Sequence, residues 1–373
     1  MKRRHMLQAM GAAGLAPIVS SNSAAASPAA SDFRQLDPDK SLRVGMIGED
    51  GHTSYVTNGL KYTPNAKLVA WAKGGPEGAS SSDRRSSQAG APVYDDYREM
   101  FDKEQLDIVG ICLPYAWNTR AAIEAARRGV HMMIEKPSAV SLEDLESLQQ
   151  AVTRNRVRST LMLEMRLSRP VQAIKQAIVA GRIGAPATVT SQKTYKFGAS
   201  RPEFYKDRAV YGGTIPWVAV HAVDYMQYVT GLQYTHVSAF HTNLAHPEYA
   251  TLEDAGGILL RLSNGGSALC NFDYLRPDGA PSHGDNRLRV TGTRGVVEMI
   301  DFDDPDKVRV VLIEGENPPE LLPLPEEQHL FPDFVSELRG SGTHVLTQDE
   351  CFRITRVVLL ARQAADTGTM LKI

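Results

Sequence analysis

The chain has only three cysteines in 373 residues, and Cys112, Cys270 and Cys351 lie far apart, inside or beside apolar segments. That scarcity and spacing exclude a disulfide framework and predict buried thiols. Excess charge is missing too, since 41 Lys and Arg face 43 Asp and Glu. With no basic cluster beyond the N-terminus, the electrostatic footprint of a nucleic-acid binder is absent and a small-molecule partner is favoured. Metal-ligand spacing is lacking as well: His236, His241 and His246 recur every five residues, which fits neither one strand face nor one helix face. There is no internal repeat. What remains is an ordinary globular composition, 42% hydrophobic and 7% aromatic, with length for about two domains.

The N-terminus reads as an address. Lys2-Arg3-Arg4-His5-Met6-Leu7 precedes a modest apolar run to Val19, interrupted by Gly11 and Gly14, and a Ser/Ala-rich stretch ending in Ala24-Ala25-Ala26. Paired arginines before such a run predict a twin-arginine export signal over residues 1–26, a spacer over 27–40, and a periplasmic or secreted destination. No cysteine follows the run, so neither a lipid nor a membrane anchor is expected. Twin-arginine cargo folds before transport, which agrees with free thiols in an exported chain.

From Leu42 the pattern alternates strand and helix: strands at Leu42–Ile47, Lys67–Ala72, Asp107–Leu113, Val130–Glu135 and Thr160–Leu163, helices at Ser54–Lys61, Asn118–Arg128 and Leu142–Arg154. Gly74–Gly90 is a long loop or a poorly patterned helix. Alternation of this kind predicts an α/β domain over 41–165 with a doubly wound parallel sheet. From 166 to 373 the pattern predicts an α+β domain with a large, mostly antiparallel sheet. It comprises seven strands between Ala187 and Ile313, an Asn264-Gly265-Gly266 hairpin turn, and helices from Pro170, Pro216, Phe331 and Gln348. The C-terminal helix is free to pack back on the first domain.

The stretch Val130 to Pro137 is an apolar strand ending abruptly in Glu135-Lys136-Pro137. Ligands of open α/β sheets bind beyond the carboxyl ends of strands, where Lys136 would sit. On the helix from Pro216, Trp217, His221 and Asp224 are spaced by four and three residues and share a face. Histidine titrates near neutrality and can take a hydroxyl proton. These motifs occur in order with a strand ending Leu113-Pro114, a Gly181-Arg182-Ile183-Gly184 linker and Gly212-Gly213 ahead of His221-Ala222-Val223-Asp224. The order resembles the glucose–fructose oxidoreductase, inositol dehydrogenase and MocA (Gfo/Idh/MocA) family of nicotinamide-dependent sugar oxidoreductases, over Leu42 to Ile373. The resemblance implies a Rossmann-like first domain, cofactor contacts at Gly48, Gly51, Pro114 and Glu135, and pairing of copies through the antiparallel sheet. It also implies His221 as proton acceptor and Lys136 as the charge that stabilises a developing alkoxide.

Three departures qualify it. The usual G-x-G-x-x-G turn reads Gly48-Glu49-Asp50-Gly51-His52-Thr53, and a carboxylate at the second glycine position repels phosphate unless it turns away. His52 then either lines the substrate cleft or lies on the surface. The second strand ends in Lys73 rather than an acid, which with Arg84 or Arg85 suits the 2′-phosphate of NADP better than NAD. Trp217 stands where the family commonly has an aspartate, either stacking on a sugar face or filling the core. Asp224 contacts substrate, orients His221 or caps a neighbouring backbone. Two functions of different class follow. One is an exported carbohydrate oxidoreductase holding NAD or NADP through turnover, with internal recycling or redox-assisted glycoside cleavage. The other is a cofactor-free binder of carbohydrate or of a partner protein. The joint presence of Lys136, His221 and Asp224 favours the enzyme.

Overall fold

The computed structural model of the chain describes residues 33–198, 201–301 and 308–373; the expected export signal lies outside them. The first domain comprises β1 (Leu42–Ile47), α1 (Thr53–Gly59), β2 (Ala66–Gly75), β3 (Gly78–Ala79), β4 (Val93–Asp96) and α2 (Tyr97–Lys103), then β5 (Ile108–Ile111), α3 (Tyr115–Arg127), β6 (His131–Ile134), α4 (Leu142–Arg154) and β7 (Ser159–Leu161). The sheet runs β3-β2-β1-β5-β6-β7 with β4 beside β2. All its pairings are parallel except the β2–β3 hairpin. Strands covered on both faces read as continuous apolar runs, and all of β5 and β6 is buried. The chain leaves β1 towards β2 on one side and returns to β5 on the other, so the crevice opens beyond the carboxyl ends of β1 and β5.

Helix ends follow their capping chemistry. Ser141 accepts from the Asp144 amide to start α4, whose Leu145, Leu148 and Val152 form the buried stripe. The expected loop at Gly74–Gly90 is partly ordered: β2 extends to Gly75, β3 folds back on it, and a 3-10 turn spans Ser86–Gln88. β4 and α2 escape the periodicity argument because each is only four to seven residues long.

The second domain comprises α5 (Arg169–Val179), β8 (Pro186–Tyr195), α6 (Arg208–Tyr211), α7 (Val220–Thr230), β9 (Tyr234–Thr242), β10 (Ala255–Leu262), β11 (Ser267–Asp273) and β12 (Gly284–Gly292). It continues through β13 (Gly295–Asp301), β14 (Arg309–Glu314), β15 (Glu320–Leu321), α8 (Leu330–Leu338), α9 (Gln348–Thr367) and β16 (Leu371–Lys372). The nine strands run β15-β14-β13-β12-β8-β11-β10-β9-β16, antiparallel except for β8 with β11. Alternation sorts the faces: Ile258 and Leu260 point inward, while Leu259 and Leu269, paired in register, stay exposed with Phe240. Cys112, Cys270 and Cys351 are buried and free, as their setting in sequence predicts. α8 packs on the first domain, with Phe331 seated on Gly59, where any Cβ would collide with it. α9 carries a full capping box, Thr347 with Glu350, and lies along the domain junction, where Thr355 meets Ser138 and Arg362 donates to the Val140 carbonyl.

Candidate active site

Beyond β6, the Glu135 carboxylate is fully buried. It accepts from the His52 amide, from His52 Nδ1 at 2.9 Å and from the Lys136 amide at 3.0 Å. The carboxylate partner assigns the proton to Nδ1. Burial alone would raise the pKa of Glu135, but the charges of His52 and Lys136 and the bonds from His52 outweigh it and hold the carboxyl below its ordinary value. Gly51 is required here: its φ is +127°, and a Cβ would strike the Glu135 carboxylate.

Lys136 is 1% exposed. Its Nζ lies 3.8 Å from Glu135 Oε1 and 2.9 Å from the centroid of the Trp217 ring. Burial depresses its pKa to about 7, Glu135 opposes that fall, and Lys193 and Arg201 reinforce it.

A π-helical turn and the helix after it bring the remaining groups in. Ile215–Ala219 is a π-helical turn leading into α7, which carries His221. His221 is 2% exposed, and neither ring nitrogen has a hydrogen-bond partner among the described residues. Burial first, then the nearby Lys136, Lys193 and His52, push its pKa well below 6.5, so the ring is neutral at pH 7. His52, Tyr55, Met165, Lys193, Tyr195 and His221 line a cleft of about 600 Å³. The His52 and His221 rings stand 6.3 Å apart, and Lys136 is near enough to His221 to disfavour its protonation. A neutral histidine beside a titrating ammonium can accept a hydroxyl proton and stabilise the oxygen left behind.

Two expected substrate contacts are corrected. Asp224 does not reach the cleft: both its oxygens accept from Arg166, with Nη2 at 2.8 Å and Nε at 3.0 Å, in a buried pair extended to Glu350. Its side chain is committed to the fold and does not orient His221. Trp217 has no open face for a sugar. Tyr115 stacks on one side, centroids 4.0 Å apart and planes 16° apart, and Lys136 occupies the other.

Lys193 is the residue that motif reasoning misses. It shares the inward phase of β8 with Val189 and Ser191, is buried, and donates to Asn286 Oδ1 at 2.5 Å. A lysine on the apolar phase of a strand is the signal that was legible.

The turn after β1 is arranged differently. Gly48 and Gly51 both have positive φ, and a Cβ on Gly48 would meet the Cys112 carbonyl, so the backbone passes close to the end of β5. The amides of Gly48, Glu49, Asp50, Gly51 and His52 donate to Ala72 O, Ser80 Oγ, Cys112 O, Glu49 O and Glu135 respectively. Asp50 accepts from the Ser80 and Ser81 hydroxyls and the Ser81 amide; Glu49 accepts from the amides of Arg85 and Ser86. Burial raises the pKa of Asp50 against these bonds. The two carboxylates thus fasten Ser80–Ser86 across the turn.

Pro114 caps the start of α3 at the same edge. Lys73 makes surface ion pairs, 3.3 Å from Asp95 and 3.9 Å from Asp83. Arg85 lies on the Thr53 hydroxyl and the Gly51 carbonyl.

Tested against a dinucleotide, the residues beyond β6 fit the nicotinamide end, because an unpartnered His221 and Lys136 converge there. The pyrophosphate turn does not fit in this arrangement, because its amides and carboxylates are satisfied internally.

Residues 42–163 match the oxidoreductase family with an NAD-binding Rossmann fold, and residues 171–298 match the Gfo/Idh/MocA C-terminal domain. The chain is 27% identical to an uncharacterised oxidoreductase of Bacillus subtilis over 54% of its own length and 58% of that protein. It is also 27% identical to the scyllo-inositol 2-dehydrogenase (NAD+) of Bacillus subtilis, over 69% of this chain and 71% of that protein. A solved structure from Thermotoga maritima, assigned as an oxidoreductase, superimposes with a TM-score of 0.83 at 36% identity, covering 89% of this chain and all of the other. Both domains therefore place this chain in the Gfo/Idh/MocA oxidoreductase family, with its NAD-binding Rossmann fold followed by the family's C-terminal domain.

Proposed function

We propose that this protein oxidises or reduces a CH–OH group of a carbohydrate or cyclitol with NAD as cofactor, His221 acting as proton acceptor and Lys136 as its electrostatic partner. The supporting observation is the buried, neutral, unpartnered His221 ring on the cleft. A bound nicotinamide supplies the hydride acceptor. His221 takes the hydroxyl proton at a ring nitrogen, and the Lys136 ammonium stabilises the negative charge that develops on the oxygen. His52, held by Glu135, and Lys193 orient the remaining hydroxyls. Gly48, Gly51 and Pro114 would flank the dinucleotide once Glu49 and Asp50 release Ser80–Ser86. The inositol dehydrogenase relative supports the substrate class.

The same reading takes residues 1–26 as a twin-arginine signal, on Arg3-Arg4 and the apolar run that follows. Free nicotinamide is scarce outside the cytoplasm, so an exported enzyme keeps its cofactor and regenerates it, by paired oxidation and reduction of two sugars or by transient oxidation that loosens a glycosidic bond. The exposed apolar residues Phe240, Leu259 and Leu269 on the outer face of the second sheet support association of two copies there. A second reading, a cofactor-free carbohydrate binder, is favoured by the internally satisfied turn. Denaturing the purified protein and assaying the supernatant for nicotinamide dinucleotide separates the two. The enzyme reading expects bound or bindable dinucleotide; no dinucleotide and no thermal response to added NAD would sink it.

A further inference from the structure

We propose that Trp217 is a positioning residue that acts through Lys136: its indole face is the seat on which the ammonium is held charged and aimed at His221. This deepens the proposed function and rests on it for its catalytic consequence, though not for the contact itself.

The geometry is a three-layer stack. Tyr115 lies on one face of the indole, centroids 4.0 Å apart, and Lys136 Nζ lies over the other face, 2.9 Å from the ring centroid. All three residues are buried. Tyr115 is itself fixed, its hydroxyl 2.7 Å from that of Tyr205 and its ring 5.9 Å from Tyr211. The indole therefore cannot tilt without displacing a packed aromatic cluster, and it sets the height of Nζ. Its negative π face also stabilises a cation in a place where water does not, an effect that grows as the site is desolvated.

Among the charges that face Lys136, Glu135 favours the ammonium. Glu135 shares its charge with His52 and stands 3.8 Å from Nζ, beyond hydrogen-bond length. Lys193 on β8 and Arg201 disfavour the ammonium. His221 on α7, Tyr115 on α3 and Cys112 after β5 are further titratable neighbours, and all three are neutral at pH 7. On α7's approach the indole face adds to Glu135 in favouring the charged form. The π-helical turn at Ile215–Ala219 places it there, at the third residue of that turn.

The test uses the full chain without added cofactor. The emission of Trp217, isolated as the difference between wild type and Trp217→Phe, should titrate with a midpoint near 7, the value to which burial brings Lys136, and Lys136→Met should abolish that titration. A difference spectrum that does not respond to pH, or one that responds identically in Lys136→Met, overturns the proposal. This readout needs no turnover, so its failure is separate from failure of the oxidoreductase reading. In the active enzyme, the charged Lys136 is the working form and activity falls as pH rises through its pKa. Trp217→Leu removes the π face and should move that basic limb down by about one pH unit, while Trp217→Phe should hold it close to wild type. A uniform loss of kcat in Trp217→Leu with the limb unmoved marks a purely structural role and overturns the proposal.

Discussion

Two turns at the same sheet edge, Gly48–Thr53 after β1 and Glu135–Pro137 after β6, treat their buried polar groups in opposite ways. At the first, each amide from Gly48 to His52 donates within the protein, and Glu49 and Asp50 are saturated by the Ser80–Ser86 segment. At the second, Glu135 is satisfied, but beside it stand a histidine whose two ring nitrogens have no partner among the described residues and a lysine seated on an aromatic ring. A buried polar group without a partner costs about 1–3 kcal/mol. Folding gains nothing from leaving His221 so, which marks that end as the one where a ligand completes the hydrogen bonding.

The comparison breaks most sharply at His221. His221→Ala should lower turnover by about 100- to 10,000-fold, as removal of a general base does, with dinucleotide binding retained. Steady-state rates together with a thermal-shift titration check this. Turnover within a fewfold of wild type would make His221 an ordinary core residue and erase the contrast between the two turns.

Next in size is the buried pair that looked functional in sequence. Arg166→Met leaves Asp224 uncompensated in the core and should destabilise the fold by roughly 3–5 kcal/mol, read as a lower urea midpoint. Burial then raises the carboxyl pKa of Asp224 unopposed by Arg166. A change in KM at unchanged stability would instead return Asp224 to the cleft.

The turn after β1 offers a smaller effect of opposite sign. Asp50→Ala removes the carboxylate that fastens Ser80 and Ser81 and the charge facing any phosphate. Dinucleotide binding, followed by quenching of tryptophan emission or by calorimetry, should tighten about tenfold, the equivalent of one pKa unit of charge interaction. Unchanged or weaker binding would mean that Asp50 turns away when cofactor arrives, and that the internal fastening is no obstacle.

How far the sequence reaches is visible in the same residues. α4 and α9 are legible to the residue, because Ser141 and Thr347 carry local capping chemistry and the apolar spacing is regular. The parallel sheet follows from alternation, and motif order picks out His221 and Lys136 as candidates. What escapes is non-local. Nothing near Asp224 announces Arg166, 58 residues away. The i, i+4 spacing of Trp217 and His221 assumes a regular helix, whereas Trp217 sits in a π turn. The carboxylates of Glu49 and Asp50 read as phosphate repulsion, and only the fold shows that they turn to a serine-rich segment some 30 residues on.

The finest prediction concerns the proton on His221. Its folded pKa lies well below 6.5 while its unfolded value is ordinary, so below pH 6.5 the unfolded chain binds a proton that the folded chain refuses. Stability is unaffected by this group above 6.5 and is lost as pH falls from there towards the folded pKa, by at most about 1.4 kcal/mol per pH unit. His131, buried in β6 with its pKa lowered to about 4, adds a second loss of the same sign. His221→Asn should therefore flatten the fall in urea midpoint between pH 6.5 and 5 by roughly half of what these two histidines contribute together, leaving the share of His131. If the slope is the same in both proteins, His221 is protonated or partnered in the folded state. It would then be as internally satisfied as the turn after β1, and the difference between the two ends of the crevice would have to be sought in Lys136 and Trp217 alone.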